Sequence, residues 1–413
     1  MAGKDLIIDL AQIDFNHIVA DLDPSRLTAN IDATSSDGLV ADKSIAVTGS
    51  VGKTSTKEAL RTVLGPQGET HASAASFNNH WGVPLSLARC PASVKFAIFE
   101  IGMNHPGEIT PLVKMVRPHV AIITTVEPVH LEFFSGIEAI ADAKAEIFAG
   151  VEPGGAAVLN RDNSQFARLS KSAKAAKIEH IVSFGSDEKA DARLIDVSLH
   201  PACSAVRATI LGQDVTYKIG MPGRHMAMNS LAVLAAATLA DADLALSALA
   251  LAQLKPASGR GVREALTLSG GTATLIDESY NANPASMAAA ITVLGQADVG
   301  PRGRRIAVLG DMLELGTTGP DLHRGLAEAI KMNGIDSVFC CGPLMRNLWE
   351  ALPSTKKGGY ADSSAALEPQ VVSAIGAGDA IMIKGSLGSR MKLIVTALQK
   401  RFPDKAALDD VTP

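Results

Sequence analysis

One short run constrains the fold of this 413-residue chain more than any other feature. After the strand-like residues 44–48 the sequence reads Gly49-Ser50-Val51-Gly52-Lys53-Thr54-Ser55, and residues 54–64 then follow a helical period. Glycines let the backbone curl so that successive N–H groups face one anion, and the helix N-terminus adds partial positive charge. Lysine supplies a mobile cation, and threonine offers a hydroxyl to Mg2+. The run therefore predicts a phosphate-binding loop between a strand and a helix of an α/β domain.

The motif is present in its shorter form, because the longer form requires glycine at position 47, where this chain has Val47. The alternative is an ordinary glycine-rich turn between a strand and a helix. Such a turn needs neither lysine nor threonine in register, whereas both residues oppose the charge of a bound phosphate. We therefore favour the phosphate-binding interpretation.

Alternating strand-like and helix-like segments indicate two doubly wound units. Strand-like runs occupy 44–48, 96–101 and 119–126, and a second set occupies 274–277, 305–310, 337–341 and 380–384. The segment 255–259, Lys-Pro-Ala-Ser-Gly, interrupts the pattern between the two sets. We predict a short N-terminal remnant (1–43), a P-loop-type central domain with a mostly parallel sheet (44–257) and a smaller Rossmann-like C-terminal domain (258–413).

Composition excludes several classes of function. A net charge of -5 and 4% aromatic residues give neither a basic field nor stacking platforms for nucleic acid. No run approaches the roughly 20 apolar residues that span a bilayer, and the first residues lack a signal-peptide pattern. We expect a cytoplasmic protein with four reduced cysteines, and we expect Cys340 and Cys341 to lie on opposite faces of one strand.

Three residues after the loop suggest a metal site. Glu100 ends a buried strand-like run, and His130 follows the next strand, so both belong to the sheet edge where ligands of parallel sheets gather. Lys144 falls on one helical stripe with Ile137 and Ile140, an apolar face that disfavours a bare ammonium. Three arrangements would avoid a bare buried ammonium: the side chain snorkels to the surface, the ammonium pairs with Glu100, or the amine reacts with CO2 to give an anionic carbamate. The spacing of the residues does not distinguish among these three.

Longer motifs then resemble a known family, the Mur ligases. The resemblance extends over residues 44 to about 400. It rests on the loop together with Phe77-Asn78-Asn79, the run 99–109 (Phe-Glu-Ile-Gly-Met-Asn-His-Pro-Gly-Glu-Ile), His130-Leu131-Glu132, 143–148, Gly223-Arg224-His225, 277–284 (Asp-Glu-Ser-Tyr-Asn-Ala-Asn-Pro) and 309–316 (Leu-Gly-Asp-Met-Leu-Glu-Leu-Gly). Within the family, the Asn-His-Pro-Gly-Glu and Asp-Glu-Ser-Tyr-Asn-Ala-Asn-Pro runs resemble the branch that joins D-alanyl-D-alanine to a UDP-muramoyl tripeptide.

The resemblance implies an ATP- and Mg2+-dependent amide ligase of peptidoglycan precursor synthesis that works through an acyl phosphate. It implies catalytic roles for Lys53, Lys144, His130 and Arg260. The metal ligands would be Thr54, Glu100, His130 and carbamylated Lys144. ATP would be bound by Gly49, Ser50, Gly52, Lys53, Thr54, Ser55, Asn229, Arg260 and Asp277. The muramoyl peptide and D-alanyl-D-alanine would be bound by Asn78, Asn79, Tyr280, Asn281, Asn283 and Lys384.

Some parts of the resemblance are less complete. The asparagine that usually precedes Asn229 is Met226 here, which removes one amide from base recognition. Arg260 and Asp277 lie beyond the predicted linker, so we expect them to reach the nucleotide when the domains close. Only 43 residues precede Ser44, where the family has a UDP-sugar-binding domain, so we expect this chain to bind the UDP-muramoyl peptide poorly.

Two other functions remain open at the level of sequence. A folylpolyglutamate- or cyanophycin-type synthetase would share the phosphate loop and the metal site. A nucleotide-binding scaffold without catalysis is the third candidate. We expect small-molecule partners and a monomer, with neither nucleic acid nor a membrane span.

Overall fold

The computed structural model describes residues 41–91, 93–129 and 131–404. Two mixed sheets organise these residues, one on each side of the irregular segment that links them. The sequence therefore predicts the α/β fold class correctly. Residues 1–40 and His130 lie outside the described part of the chain, and so do the expectations placed on them.

The first sheet has nine strands in the order β2-β3-β1-β4-β5-β6-β7-β8-β9. Strands β1 to β7 pair in parallel along this order, and the pairs β7–β8 and β8–β9 are antiparallel. Their bounds are β1 Lys43–Thr48, β2 Thr70–Ala72, β3 Phe96–Glu100, β4 Val120–Ile123, β5 Ala156–Asn160, β6 His180–Gly185, β7 Ala192–Leu199, β8 Ser204–Ile210 and β9 Gln213–Ile219.

Helices cover both faces of this sheet. They are α1 Lys53–Leu64, α2 Gly82–Ala88, α3 Ile109–Val116, α4 Ile137–Ala145, α5 Phe166–Ala175, α6 Arg224–Leu239 and α7 Leu244–Ala250. The central strands are apolar along their whole length because each face meets a helical layer. In β3, for example, Phe96 packs into one core and Phe99 into the other, and both are fully buried. The carboxyl ends of β1, β3 and β4 thus lie side by side.

The second sheet has six strands in the order β10-β11-β15-β12-β13-β14, parallel except for β10. Its strands are β10 Val262–Leu268, β11 Gly271–Glu278, β12 Arg305–Gly310, β13 Ser337–Cys341, β14 Lys357–Ala361 and β15 Ala380–Lys384. Its helices are α8 Pro284–Gly295, α9 Gly319–Met332, α10 Arg346–Ala351, α11 Ser364–Ala374 and α12 Lys392–Arg401. Cys340 and Cys341 pack into opposite cores of this sheet, which confirms the alternation expected of them.

Several strands were not predicted from the sequence. The hairpins of β7, β8 and β9 carry weak alternation with many exposed positions, and β10 and β14 contain charged or glycine-rich stretches. Long apolar runs, by contrast, coincide with the strands predicted from them, and β12, β13 and β15 match to the residue. No helix in the described ranges is long and apolar enough to cross a membrane.

Candidate active site

The phosphate loop leaves β1 and enters α1 with two glycines in conformations that few other residues adopt. Gly49 has φ of 147° and Gly52 has φ of 88°. A Cβ atom on Gly49 would lie 1.9 Å from Oγ1 of Thr124, and one on Gly52 would lie 2.6 Å from the Asn229 side-chain nitrogen. Neighbouring strands and α6 therefore pack directly against the loop backbone. Both positions need glycine for conformation and for space.

Lys53 curls back over the loop that carries it. Its Nζ donates a hydrogen bond of 2.7 Å to the carbonyl of Gly49. Burial lowers the pKa of Lys53, Glu100 opposes this shift, and the positive charge of Arg260 adds to it. Lys53 and Arg260 thus bring positive charge from two domains to one cleft, an arrangement that suits the polyanionic end of a nucleotide.

The two loop serines brace the backbone. Ser50 Oγ donates to the carbonyl of Glu127 at 3.1 Å and accepts from its N–H at 2.9 Å. Ser55 Oγ donates to the carbonyl of Gly52 at 3.2 Å. Because these bonds tie the loop to the segment after β4 and to itself, the serine side chains hold the shape of the phosphate cradle.

Thr54 and Glu100 form the centre of the predicted metal site. Thr54 Oγ1 donates to Glu100 Oε2 at 2.9 Å, and the Nδ2 atom of Asn78 donates to Glu100 Oε1 at 2.7 Å. Glu100 is 1% exposed and Thr54 is 4% exposed. A hydroxyl and a carboxylate are hard oxygen ligands, which Mg2+ prefers. The described residues contain no cluster of three or more His, Cys, Asp or Glu side chains suited to a metal.

Lys144 lies at the end of α4 with 2% of its surface exposed. Burial, followed by the positive charge of Lys53, lowers its pKa well below the usual range. No hydrogen bond or ion pair joins its amine to another side chain in the described part of the chain. The described residues therefore show no ion pair between Lys144 and Glu100. The amine does not snorkel to the surface either, because the side chain is buried.

Arg260 follows the linker and reaches the central domain. Its Nη2 donates to Ser76 Oγ at 3.3 Å, and that hydroxyl lies 3.3 Å from the Thr54 hydroxyl. The guanidinium group also stacks on Tyr280, with 4.2 Å between its central carbon and the ring centroid. Arg260 is thus held over the phosphate loop by contacts from both domains. Further closure on ligand stays a prediction.

Two neighbouring carboxylates at the end of β11 point to opposite sides. Asp277 is buried, accepts two bonds from Ser279 and forms an ion pair with Lys392 at 2.7 Å. It does not line the cleft, so its predicted contact with ribose or Arg260 needs correction. Side chains alternate along a strand. Glu278, which the sequence interpretation did not single out, therefore faces the cleft and pairs with Lys384 at 3.1 Å.

The remaining predicted residues divide between the cleft and structural roles. Lys384 Nζ also donates to the carbonyl of Asn281 at 3.0 Å. Asn283 caps α8 through a reciprocal pair of bonds with Ser286. Asn79 accepts from the N–H groups of Trp81 and Gly82 at the start of α2 and does not line the cleft.

A cleft of about 650 Å3 lies between the two domains and is lined by most of these groups, but not by Asn79, Lys144 or Asp277. Residues of the loop, Asn78, Glu100 and Asn229 line one wall, while Arg260, Tyr280 and Lys384 line the other. Sequence analysis missed Ser76 and Arg263 as well as Glu278 on these walls. Nε and Nη2 of Arg263 are buried without a partner among the described residues. Nothing in the local sequence marks Ser76 or Arg263, and strand alternation separates Asp277 from Glu278 without indicating which of them faces the cleft.

Comparison with known proteins agrees with this architecture. Residues 47–237 match the family model of the Mur ligase middle domain, and residues 264–387 match that of the Mur ligase glutamate ligase domain. UDP-N-acetylmuramoyl-tripeptide–D-alanyl-D-alanine ligase of Rickettsia prowazekii is 34% identical over 86% of this chain and 78% of its own length.

Two solved structures extend the comparison. MurF from Acinetobacter baumannii superposes with a TM-score of 0.79 at 29% identity, covering 88% of this chain and 78% of that one. MurF ligase from Thermotoga maritima in complex with ADP gives a TM-score of 0.74 at 25% identity, covering 92% and 83%. With both domain models matched in order across one cleft, the chain belongs to the Mur ligase family.

Proposed function

We propose that this protein is an ATP-dependent ligase that adds D-alanyl-D-alanine to UDP-N-acetylmuramoyl-tripeptide. The observation that carries the proposal is the meeting of Lys53, Thr54 and Glu100 with Arg260 across one cleft. Relatives with this activity, matched over most of their length, support it. We also propose a cytoplasmic location, because ATP is a substrate, and a monomeric state.

The first half-reaction would transfer the γ-phosphoryl group of ATP to the terminal carboxylate of the tripeptide. A carboxylate oxygen attacks phosphorus, the bond to the β-phosphate oxygen breaks, and ADP leaves as the acyl phosphate forms. Lys53 and Arg260 would neutralise charge on the transferred group from opposite walls, an electrostatic role that suits a phosphoryl transition state. The N–H groups of the loop would hold the neighbouring phosphates.

In the second half-reaction the free amine of D-alanyl-D-alanine attacks the acyl carbon. The ammonium of the dipeptide first loses one proton to solvent to give this amine. The tetrahedral intermediate then expels inorganic phosphate, which takes the second proton from nitrogen as the amide forms. Glu278 and Lys384 lie on the wall from which the dipeptide would approach, and their pairing at 3.1 Å supplies both an anion for an ammonium and a cation for a carboxylate. We propose that this pair orients the dipeptide at its two charged ends.

Mg2+ fits the oxygen donors of Thr54 and Glu100, with Asn78 orienting the carboxylate through its side-chain amide. When bound, the ion would shield the charge of the phosphates during transfer. We propose that His130 and carbamylated Lys144 complete a second site. A neutral amine of Lys144 would attack CO2 and release one proton, which leaves an anionic carbamate. The lowered pKa of Lys144 favours the neutral amine that this reaction requires.

A turnover assay tests the proposal against its alternatives. Protein would be incubated with ATP, Mg2+, UDP-muramoyl tripeptide and D-alanyl-D-alanine, and the pentapeptide product, ADP and phosphate would be quantified. We expect the three to form in equal amounts. Glutamate addition to a folate, or arginine and aspartate addition to a cyanophycin primer, would identify the related synthetases. Nucleotide binding without any ligation would identify the scaffold.

A further inference from the structure

We infer that Lys57 is a positioning residue that holds the loop 73–79 against the phosphate loop and Glu100. Lys57 lies on α1, one turn after Thr54, and its side chain is completely buried. The proposed reaction assigns it no role, and it does not line the cleft. A charge buried so deeply needs partners that repay its loss of water.

Those partners are concentrated on one loop. Nζ of Lys57 donates to the carbonyl of Ser73 at 2.7 Å and to that of Ala75 at 2.6 Å, and it pairs with Glu58 Oε1 at 2.9 Å. An ammonium has three N–H donors, so these contacts satisfy all of them. Two of the three acceptors are backbone atoms, which means that the lysine fixes the course of the chain from Ser73 to Ala75.

The backbone at this point adopts a conformation that needs such support. Ala75 has φ of 43°, the left-handed region that a residue with a Cβ atom rarely adopts. The carbonyl that Lys57 binds belongs to the same residue. The lysine therefore stabilises a turn that the local sequence does not favour.

Beyond this turn, the loop carries groups of the proposed site. The Ser76 hydroxyl lies 3.3 Å from both the Thr54 hydroxyl and Arg260 Nη2. Asn78 donates to Glu100 at 2.7 Å, and its carbonyl accepts from the N–H of Gly102 at 2.8 Å. Loss of Lys57 would let Ser76 and Asn78 shift. Glu100 would lose its orientation, and Arg260 would lose its contact on the central domain.

Hydrogen exchange of the nucleotide-free full chain tests the placement directly. Lys57→Met should accelerate exchange across residues 73–79 and at Gly102. Leu60→Ala is the matched control, because Leu60 is fully buried on the same helix without a bond to this loop. We expect the control to lower the unfolding temperature while leaving exchange of the loop unchanged. Equal exchange in Lys57→Met and the unmodified protein, or equal acceleration in the control, would overturn the inference.

The unmodified protein supplies a second measurement if Lys57→Met fails to fold. The Gly102 amide and the loop should be protected without any nucleotide, since Lys57 rather than a ligand would hold them. Rapid exchange there would contradict the positioning role.

Kinetics then separate positioning from general stability. This readout rests on the proposed function, whereas the exchange experiments do not, so failure of one leaves the other interpretable. Lys57→Met should lower kcat by about a hundredfold, as expected for a small misplacement of reacting groups, with little change in KM for ATP. The Mg2+ concentration needed for half-maximal rate should rise, because Asn78 would no longer orient Glu100. A control variant with the same kinetic changes would contradict the assignment.

Discussion

The two walls of the cleft are built by different means. On the central wall, glycine backbone packs against Thr124 and Asn229, and Glu100 is bonded by Thr54 and Asn78. On the C-terminal wall, Glu278 and Lys384 neutralise each other as an ion pair. Arg260 joins the walls through Ser76. Phosphate binding on the central wall therefore depends on a rigid backbone, whereas the C-terminal wall offers side chains that can exchange their partners for a substrate.

The largest expected effect lies on the central wall. Lys53→Ala should lower the ligation rate by about a thousandfold, since it removes a charge that stabilises the transferred phosphoryl group. Initial rates at saturating substrates would measure this loss. Lys43→Ala is the matched control, because Lys43 pairs with the exposed Asp241 at the surface. Near-normal ligation by a fully folded Lys53→Ala variant would contradict the assignment of residues 49–55 as the phosphate-binding loop.

A somewhat smaller loss is expected for Lys144→Ala, which would forfeit the carbamate. We expect a rate reduction of about a hundredfold, of the order found when ligands or their supports are removed from metal sites. The amine is neutral above its pKa, and burial lowers that pKa, so the neutral amine and its carbamate extend to lower pH than for an exposed lysine. Acidification through the lowered pKa should protonate the amine and release CO2, with loss of activity.

Nuclear magnetic resonance with carbon-labelled bicarbonate provides the measurement for this second prediction. The unmodified protein should show a carbamate carbonyl signal that disappears on acidification, and Lys144→Ala should lack that signal. A normal rate in Lys144→Ala, or an absent signal in an active protein, would contradict carbamylation.

Substitution of two neighbouring carboxylates, Glu278 and Asp277, tests the roles assigned to them on the C-terminal wall. Glu278→Gln should lower kcat/KM for D-alanyl-D-alanine by about tenfold, as for one charge-assisted hydrogen bond to substrate. Asp277→Asn should instead lower the unfolding temperature, because its carboxylate pairs with Lys392 away from the cleft. Steady-state kinetics and thermal unfolding of both variants decide the matter. Reversed outcomes would restore Asp277 as the functional residue.

The smallest effect is expected at Asn229, which we expect to contact the base of ATP with one side-chain amide. Asn229→Ala should weaken ATP binding by only a few fold, consistent with about 1 kcal/mol for one hydrogen bond. Calorimetric titration with ATP and GTP would measure affinity and base preference together. Lys53→Ala would be titrated in the same way. A larger loss of ATP affinity in Asn229→Ala than in Lys53→Ala would show that contacts to the base, rather than contacts to the phosphates, dominate nucleotide binding.

Sequence reasoning succeeds where the chemistry is local. Gly49 to Ser55 are consecutive, and Glu100 ends an apolar run, so pattern alone indicates their position in a parallel sheet. Arg260 and Ser76, by contrast, are 184 residues apart, and their contact depends on how the two domains meet. Asp277 and Glu278 are adjacent, but the sequence does not reveal which face of β11 meets the cleft. The contacts of Lys57 could not be predicted from sequence either, because its backbone partners belong to a separate loop.

Transfer of oxygen from the tripeptide to inorganic phosphate would show whether this protein forms an acyl phosphate. The tripeptide's terminal carboxylate would be labelled with heavy oxygen, and ligation would be run with ATP, Mg2+ and D-alanyl-D-alanine. An acyl phosphate carries one carboxylate oxygen into the phosphate that is expelled. Mass spectrometry should therefore find one labelled oxygen in the inorganic phosphate for each pentapeptide formed. Ligation that leaves the phosphate unlabelled, or ATP cleavage without ligation, would contradict the account.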